Sequence, residues 1–298
     1  MERELWSELY SELLRFDRCV GVKGEYFSDG AIAATQLWAA VHDRPTSWAC
    51  RRENWSSVEP PFDLPSQPTM SRRLRTAGVA ALLDAVEGCY RDDGDGGWVR
   101  LLDGKPLPVG GHSTDRDCDW GRGVRGDARG YKLHAVWGDA PVPLAWEVAP
   151  MSRAEPTVAR RMVRRLGERG AAGYLLADSG YDSNPLHDLA ASHGMQLVAP
   201  RKRPGTAWGH RHHSPARRRS AQLTEGGGAF GAALLRERDR VERRLGNLCC
   251  FGGGLQPLPA WVRRRWRVRA WVQAKLLINA ARIAHNRRRR REKGRRRK

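Results

Sequence analysis

The fold is decided by a stretch near the middle of the chain, Trp98-Val-Arg-Leu-Leu-Asp103, a short apolar run that ends on an acid. Two more β-rich runs follow it, Tyr131-Lys-Leu-His-Ala-Val-Trp137 and Val142-Pro-Leu-Ala-Trp-Glu-Val148. The residues between these two, Gly138-Asp-Ala-Pro, suit the turn of a hairpin. The three runs therefore predict three strands in a meander.

The hydrophobic period lengthens after these strands, which indicates helices between further strands. The pattern predicts a helix over 155–166, a buried strand over 173–178, a helix over 185–193 and a strand over 195–199. A meander followed by alternating helix and strand is typical of a mixed α/β sheet, which is the fold class we expect. The next stretch, 201–228, is rich in Gly, His and Arg and is predicted to be a basic loop.

The residues before the sheet are predicted to be helical, with helical patterns over 4–16, 29–42 and 69–76. The third pattern carries Ser71-Arg72-Arg73-Leu74-Arg75, a short cationic face after a turn, as the second helix of a helix-turn-helix does. The alternative is that these arginines are solvated surface charges. A linker rich in Asp and Gly, Asp92-Asp-Gly-Asp-Gly-Gly, ends this region.

The formal charge of +20 comes from two segments of the chain. Residues 261–298 hold 17 Lys and Arg against one Glu, and residues 201–220 hold seven basic residues and no acidic one, so the rest sums to −3. Concentrated positive charge on a near-neutral body indicates a polyanionic partner, most commonly nucleic acid. No stretch approaches the roughly 18 apolar residues of a membrane-spanning helix. Together with six scattered cysteines, this leads us to expect a cytoplasmic protein with no membrane partner.

The basic C-terminal segment contains a predicted helix over 259–285 with three tryptophans, Trp261, Trp266 and Trp271. Their indole rings either stack on unpaired bases or pack against the core. Beyond this helix, residues 286–298 are predicted to be a disordered basic tail unless a ligand neutralises their charge.

Three acids are candidates for metal ligands: Asp103 and Asp178 each end an apolar strand, and Glu242 lies in a late helix. Carboxylates at the ends of neighbouring buried strands converge and repel one another unless cations lie between them. Magnesium is usually held by one or two carboxylates with water and substrate phosphate, and two such ions serve in-line phosphoryl displacement. The alternative is that all three are solvated or salt-bridged acids. The usual motifs of phosphate-loop ATPases, zincins and serine hydrolases are absent from the sequence.

Five stretches of the chain resemble the DDE transposases of bacterial insertion sequences. In chain order they are Leu64-Pro-Ser-Gln-Pro-Thr-Met-Ser-Arg-Arg-Leu74, Leu102-Asp103-Gly-Lys-Pro-Leu-Pro-Val109, Gly130-Tyr-Lys-Leu-His134, Ala177-Asp178-Ser-Gly-Tyr-Asp-Ser183 and Arg238-x-x-x-Glu242. The resemblance covers about residues 60–280 and is strongest to the group with a Tyr-x2-Arg-x3-Glu-x6-Lys signature. Two places of that signature differ here, because Leu235 stands at the Tyr and Cys249 at the Lys.

The resemblance implies a ribonuclease-H-like core whose catalytic residues are Asp103, Asp178 and Glu242. All three would ligate Mg²⁺, for which Mn²⁺ is a possible substitute. Arg238 falls on the Arg of the signature and is expected near the DNA strand that is cut. Arg243 is a candidate to replace the charge missing at Cys249.

The same resemblance suggests how the chain is divided. Residues 1–92 would form a helical, helix-turn-helix-like DNA-binding region in which Arg72, Arg73 and Arg75 contact DNA. Residues 97–285 would form the catalytic domain, with the basic insertion 201–228, and the tail would follow. Within the catalytic domain, Lys105 and Lys132 either contact DNA phosphate or are only solvated.

The function predicted from the residues and the resemblance is that of a nucleoid-associated transposase. It would bind double-stranded DNA at terminal inverted repeats, cut it, and join the freed end to target DNA, as a homodimer on DNA. The first alternative is a decayed or domesticated DNA-binding protein without catalysis. The second alternative is an RNA-binding protein whose arginine-rich tail folds on its target.

Overall fold

The computed structural model describes residues 2–17, 26–55, 58–60, 62–92, 97–209 and 213–295. The chain divides into two compact units. The helical unit comprises Met1–Asp93 with Asn247–Lys298, and the sheet unit comprises Gly94–Gly246. The C-terminal segment, which the sequence analysis assigns to the catalytic domain and the tail, therefore packs with the N-terminal helices. No helix in the described part of the chain is both long enough and apolar enough to cross a membrane.

In the described residues before the sheet, the helical unit contains five α-helices and a short 3-10 turn at Arg52–Trp55. The helices are α1 (Glu2–Asp17), α2 (Asp29–Val41), α3 (Thr46–Ala49), α4 (Gln67–Arg73) and α5 (Ala77–Asp92). Helix α2 begins where the Ser28 hydroxyl accepts the backbone N–H of Ala31, and it is buried over almost its whole length. Its many alanines let neighbouring helices approach closely, which makes α2 the centre of this unit.

The position of α4 bears on the predicted DNA-binding region. A tight turn of three residues, 74–76, joins α4 to α5, whereas eleven residues separate α4 from the 3-10 turn before it. In a helix-turn-helix, a turn of about three or four residues precedes the recognition helix. Here the tight turn follows α4 instead, so the helix pair that has the expected spacing is α4 with α5.

The sheet unit is built on a six-stranded mixed sheet. The strands are β1 (Val99–Pro108), β2 (Asp119–Gly123), β3 (Gly126–Trp137), β4 (Ala145–Pro150), β5 (Gly173–Leu176) and β6 (Met195–Val198). Their order is β2-β3-β1-β5-β6, and β4 also pairs with β3. β3 is antiparallel to β1, β2 and β4, whereas β5 is parallel to both β1 and β6. This confirms the mixed α/β class and is consistent with the ribonuclease-H-like core that the resemblance implies.

The helices that the structure describes with the sheet are α6 (Glu155–Glu168), α7 (Asn184–Ser192), α8 (Pro215–Glu225), α9 (Gly228–Arg238) and α10 (Arg240–Cys249), the last of which ends in the helical unit. Helix α6 buries Val158, Met162 and Leu166, which are spaced four residues apart and so lie on one face. That face packs with apolar side chains of the strands, such as Leu102 and Val136, to form the core of the unit.

The basic insertion 201–228 is more ordered than the sequence analysis expects, because its second half forms α8. The helix begins where the Ser214 hydroxyl accepts the backbone N–H of Arg217, and it buries Ala216 and Ala221. Small residues at helical spacing are a weak hydrophobic signal, which explains why the sequence alone indicated a loop. Residues 210–212 of the insertion lie outside the described part of the chain.

A buried ion pair between Arg217 and Asp182 joins α8 to the segment just before α7. The Arg217 guanidinium donates Nε to Asp182 Oδ1 and a terminal NH₂ to Asp182 Oδ2, both at 2.6 Å, and His187 Nε2 lies 3.3 Å from Oδ1. Burial raises the pKa of Asp182, but the hydrogen bonds from His187 and Arg217 outweigh burial and hold that pKa well below its ordinary value. Asp182 is therefore an ionised structural acid.

The last helix, α11 (Arg265–Arg295), runs through the predicted disordered tail as far as Arg295. Residues 271–281 are buried without a break, and the helix contacts α1, α2 and α5. The following turns extend this anchored helix, and residues 286–293 are exposed. Arginine has high helix propensity, so continuing an existing helix is easier than starting a new one.

Lys275, in the middle of α11, is fully buried and has all three of its donors satisfied. Its ammonium group donates to Ala40 O at 2.6 Å, Asp43 Oδ1 at 2.6 Å and Gly253 O at 2.9 Å. Burial lowers the pKa of Lys275, and Asp43 opposes that shift. The lysine thus joins α11 to the end of α2 and to the loop at Gly253.

We expect Lys275→Ala to lower the free energy of unfolding by about 3 kcal/mol, because two buried carbonyls and a carboxylate lose their donor. Urea unfolding monitored by circular dichroism measures this loss. Lys293→Ala is the matched control, since Lys293 is exposed on the same helix. Equal unfolding midpoints for the two variants would show that the buried ammonium group is not a structural link.

Candidate active site

The parallel pairing of β1 with β5 brings Asp103 and Asp178 together. Leu101 is the register partner of Leu176, and each acid lies two residues beyond its leucine. Because side chains alternate along an extended chain, both carboxylates lie on the same face of the sheet as these leucines. The register thus places the two strand-end acids next to each other at one edge of the sheet.

Asp103 is half-buried, and its Oδ1 accepts the backbone N–H of Gly104 at 2.7 Å. Burial is the main cause that raises its pKa to about 6; Asp178 and Glu155 raise it further, whereas the Gly104 N–H and Arg238 lower it. Close carboxylates cannot all ionise cheaply in a partly buried site. Asp103 therefore takes up a proton at a higher pH than an ordinary aspartate, as the pH falls through about 6.

Asp178 follows β5 and caps a short 3-10 turn, where its Oδ1 accepts the backbone N–H of Gly180 at 2.9 Å. Burial raises the pKa of Asp178 and Glu155 raises it further, while the Gly180 N–H, Arg238 and Lys132 lower it. Neither Asp178 nor Asp103 forms an ion pair within the described residues. Their negative charges are thus left without a contacting cation.

Glu155 is a third acid at this place, and no sequence motif pointed to it. It is the first residue of α6, and its Oε1 accepts a hydrogen bond from Lys132 Nζ at 2.7 Å. Its Oε2 comes so close to Gly180 that a Cβ at that position would overlap it. An acid in the first turn of a helix is ordinarily explained by the helix dipole, so the sequence carried only a weak signal.

The two signature residues that the chain retains, Arg238 and Glu242, lie on α9 and α10. Arg238 ends α9, is half-buried, and is close enough to lower the pKa of both Asp103 and Asp178. Glu242 lies in the first turn of α10 and is exposed. Within the described ranges, no group of three or more His, Cys, Asp or Glu side chains is placed to hold a metal ion. The structure thus brings Asp103, Asp178 and Arg238 together, and Glu242 stays a prediction.

The donor chemistry of the aspartate pair fits a hard divalent cation. Mg²⁺ prefers oxygen ligands and needs only one or two carboxylates when water and phosphate complete its coordination. Asp103 and Asp178 each use one oxygen for a single backbone N–H, which leaves further lone pairs for a ligand. A cation between them would also relieve the repulsion that raises the pKa of Asp103.

The predicted DNA-contact residues of the sheet unit have different surroundings. Lys105 is half-buried on β1 and shares a face with Asp103, since the two are two residues apart. The Lys132 ammonium group is bound to Glu155, with only 12% of its side chain exposed. Arg243 is exposed on α10. Lys105 and Arg243 are therefore better placed to meet phosphate than Lys132.

The three predicted DNA-contact arginines of the helical unit also differ. Arg73 donates to Asp29 Oδ1 at 2.8 Å and to Phe27 O at 3.1 Å, so its guanidinium is a structural link between α4 and the start of α2. Arg72 and Arg75 are exposed. Arg75 Nε also donates to the carbonyl of Ser71 at 3.0 Å.

The sequence matches the family model of the transposase DDE domain over residues 94–287. This match covers most of the chain, includes Asp103, Asp178 and Glu242, and spans the whole mixed sheet. The chain therefore belongs to the transposase DDE family, as the sequence analysis predicts. No similar chain was found among curated proteins or among solved structures.

The crowding of the acids makes a prediction about Asp103. In the absence of divalent ions, its carboxylate should titrate near pH 6. Asp178→Asn should move this pKa down toward the ordinary value, because a like charge is removed, whereas Arg238→Ala should move it up. Carbon-13 NMR of labelled aspartates measures all three, with Asp188→Asn on the exposed face of α7 as control. An Asp103 that titrates near pH 4 in the wild-type chain would refute this description of the site.

Gly180 offers a second test, because a side chain there would overlap Glu155 Oε2 and lie 2.9 Å from Asp178 Oδ1. We expect Gly180→Ala to displace one or both acids and to remove most of the rise in melting temperature that Mn²⁺ gives the wild-type chain. Gly88→Ala is the control, since a Cβ at Gly88 has nothing within 4 Å. A Gly180→Ala variant that Mn²⁺ stabilises as fully as wild type would contradict the arrangement.

Proposed function

We propose that this protein is a transposase that binds the ends of its element, cuts the DNA there and transfers the freed strand to target DNA. The proposal is carried by one observation: two half-buried carboxylates without an ion-pair partner converge at the ends of parallel strands, in a chain of the transposase DDE family. Family membership supports the reaction class, and the aspartate pair supports where in the chain the reaction takes place.

In this proposal Asp103, Asp178 and Glu242 hold Mg²⁺ or Mn²⁺. When bound, the ion supplies the charge that activates water and stabilises the attacking and leaving oxygens of a phosphodiester. Glu242 stands three residues beyond Asp239, where α9 ends and α10 has not yet begun. Adjustment at this break on DNA binding is how we expect Glu242 to join the aspartates.

The cationic side chains around the acids have separate tasks in the proposal. Arg238 lies beside the aspartates and would bind a phosphate oxygen of the strand being cut. Lys105 would contact a neighbouring phosphate, and Lys132 would hold Glu155 in place. After cleavage the freed 3′-hydroxyl attacks a phosphodiester of the target, so one strand bond forms as another breaks. None of these steps needs a covalent bond to the protein.

DNA binding itself is assigned to the basic segments. The exposed end of α11 and the exposed lysines and arginines of the insertion would bind DNA phosphates. The affinity for DNA should therefore fall steeply with salt concentration and depend little on base sequence. Sequence choice would come from α4 and α5. Two element ends must be held together for strand transfer, which calls for a homodimer on DNA at the nucleoid.

The proposal is tested with a supercoiled plasmid that carries the inverted repeats flanking the coding region. With Mg²⁺ or Mn²⁺, the wild-type chain should nick at the repeat ends, and Asp103→Asn and Asp178→Asn should each reduce nicking by at least about 100-fold. Asp188→Asn, an exposed aspartate on α7, should nick at the wild-type rate.

The variants Glu242→Gln and Glu155→Gln test which of these two glutamates is the third metal ligand. Loss of nicking in Glu242→Gln with DNA affinity unchanged supports Glu242 as a ligand. Equal DNA binding by all variants, with no nicking by the wild-type chain in either metal, would sink the catalytic proposal. That result would leave a DNA-binding protein without catalysis.

A further inference from the structure

A cavity of about 210 Å³ lies within the helical unit, beside α4 and the first turns of α11. Its lining includes Met70 of α4 and Leu74 just after that helix, and on the other side Trp261 before α11 with Trp266 and Trp271 on it. We call this cavity the tryptophan cleft. It unites the predicted DNA-binding helix with tryptophans from the opposite end of the chain.

The three indole rings, for which the sequence left packing and base stacking as alternatives, are not equivalent. Trp271 is 3% exposed and packs in the core of the unit. Trp266 is half-buried, and Trp261 is 41% exposed while also lining the cleft. Packing accounts for Trp271, whereas it does not account for an indole that presents its surface to an open cavity.

Cationic groups lie at the edge of the same cleft. The Arg75 guanidinium lies 5.3 Å from the centre of the Trp266 ring, and that of Arg267 lies 5.0 Å from it. Both arginines are exposed, and Arg267 lines the cavity. The contact with the indole positions each guanidinium, and Arg75 Nε also donates to Ser71 O, while both side chains remain exposed at the edge of the cleft. The cleft thus combines aromatic walls with an anion-binding edge.

Polar groups inside the cleft add hydrogen-bonding capacity. The lining includes the hydroxyl groups of Ser47 and Ser71 and the amide of Gln67. Its volume exceeds the roughly 30 Å³ share of one water several-fold and falls below the roughly 300–1,000 Å³ of pockets for drug-sized ligands. A flat, polar-edged ring such as a single nucleobase fits that range, and its phosphates would reach the arginines.

We propose that the tryptophan cleft binds an unpaired nucleotide of DNA, with the base against Trp261 and the flanking phosphates on Arg75 and Arg267. This inference rests on the proposed function, because strand ends freed by cutting can fray and present unpaired nucleotides. A paired duplex presents phosphates and base edges, and its bases offer their faces only when unstacked. Recessed indoles with arginines at the rim therefore favour unpaired over paired DNA.

The test measures binding of fluorescein-labelled oligonucleotides by anisotropy, with the full-length chain carrying Asp103→Asn, in EDTA. One oligonucleotide is a duplex with a short single-stranded overhang, and the other is the same duplex with blunt ends. Trp261→Ala should weaken overhang binding about tenfold and blunt-duplex binding less than about threefold. Trp261→Phe should restore most of the overhang affinity.

Two controls keep the result specific. Trp98→Ala removes an indole that is 73% exposed in the sheet unit and should leave both affinities unchanged. Arg267→Ala should weaken both DNAs and lower the slope of log affinity against log salt by about one. Circular dichroism melting confirms that each variant folds, which is expected because both side chains lie at the surface.

The outcomes decide the inference separately from the catalytic proposal, because chemistry is blocked throughout. Equal overhang affinities of the Trp261→Ala and parent chains overturn the inference even if the nicking assay succeeds. Equal losses for overhang and blunt DNA also overturn it. A dependence on Trp261 seen only with RNA of the overhang sequence overturns it in favour of an RNA ligand. Selective loss on the overhang supports it even if the nicking assay fails.

Discussion

The candidate site depends on one constraint, the parallel pairing of β1 with β5. Pairing Leu101 with Leu176 fixes the relative position of two acids that are 75 residues apart in the chain. Burial, and after it the like charges of Asp178 and Glu155, raise the pKa of Asp103 to about 6. Packing of the surrounding core offsets the free-energy cost of holding these carboxylates together. That core is the apolar layer between the sheet and α6, which holds both strand ends in place.

Two acids four residues apart show how surroundings decide what a carboxylate does. Burial raises the pKa of Asp178 and Glu155 adds to the rise, whereas Arg217 and His187 hold the pKa of the more deeply buried Asp182 well below its ordinary value. Asp182 has the partners of a structural ion pair, and Asp178 has none. A partly buried acid without a contacting cation gains more from binding a metal ion than an acid that is already paired.

The arginines of the helical unit divide in the same manner. Arg73 donates hydrogen bonds to Asp29 and to the carbonyl of Phe27, and these bonds connect α4 to the start of α2. The guanidinium of Arg75, two residues further on, lies over the Trp266 ring, and the side chain is exposed. Lys275 completes the unit from the far end of the chain, because its buried ammonium group links α11 to α2. Adjacent basic residues thus serve folding and surface contact respectively.

Local sequence pattern was enough to predict β1, β3 to β6, α6 and α7 and to single out the strand-end acids, because hydrophobic period and strand ends are local properties; it gave no sign of β2. It also led to the transposase DDE family. The sequence did not predict α8, because small residues carry little hydrophobic signal. It also did not indicate Glu155, because the position of Glu155 near Asp178 depends on the packing of α6. The tertiary structure alone decided that α11 packs with the N-terminal helices and that Trp261 and Trp271 have different surroundings. Contacts between residues distant in sequence leave no periodic trace, and burial is settled only when the elements pack.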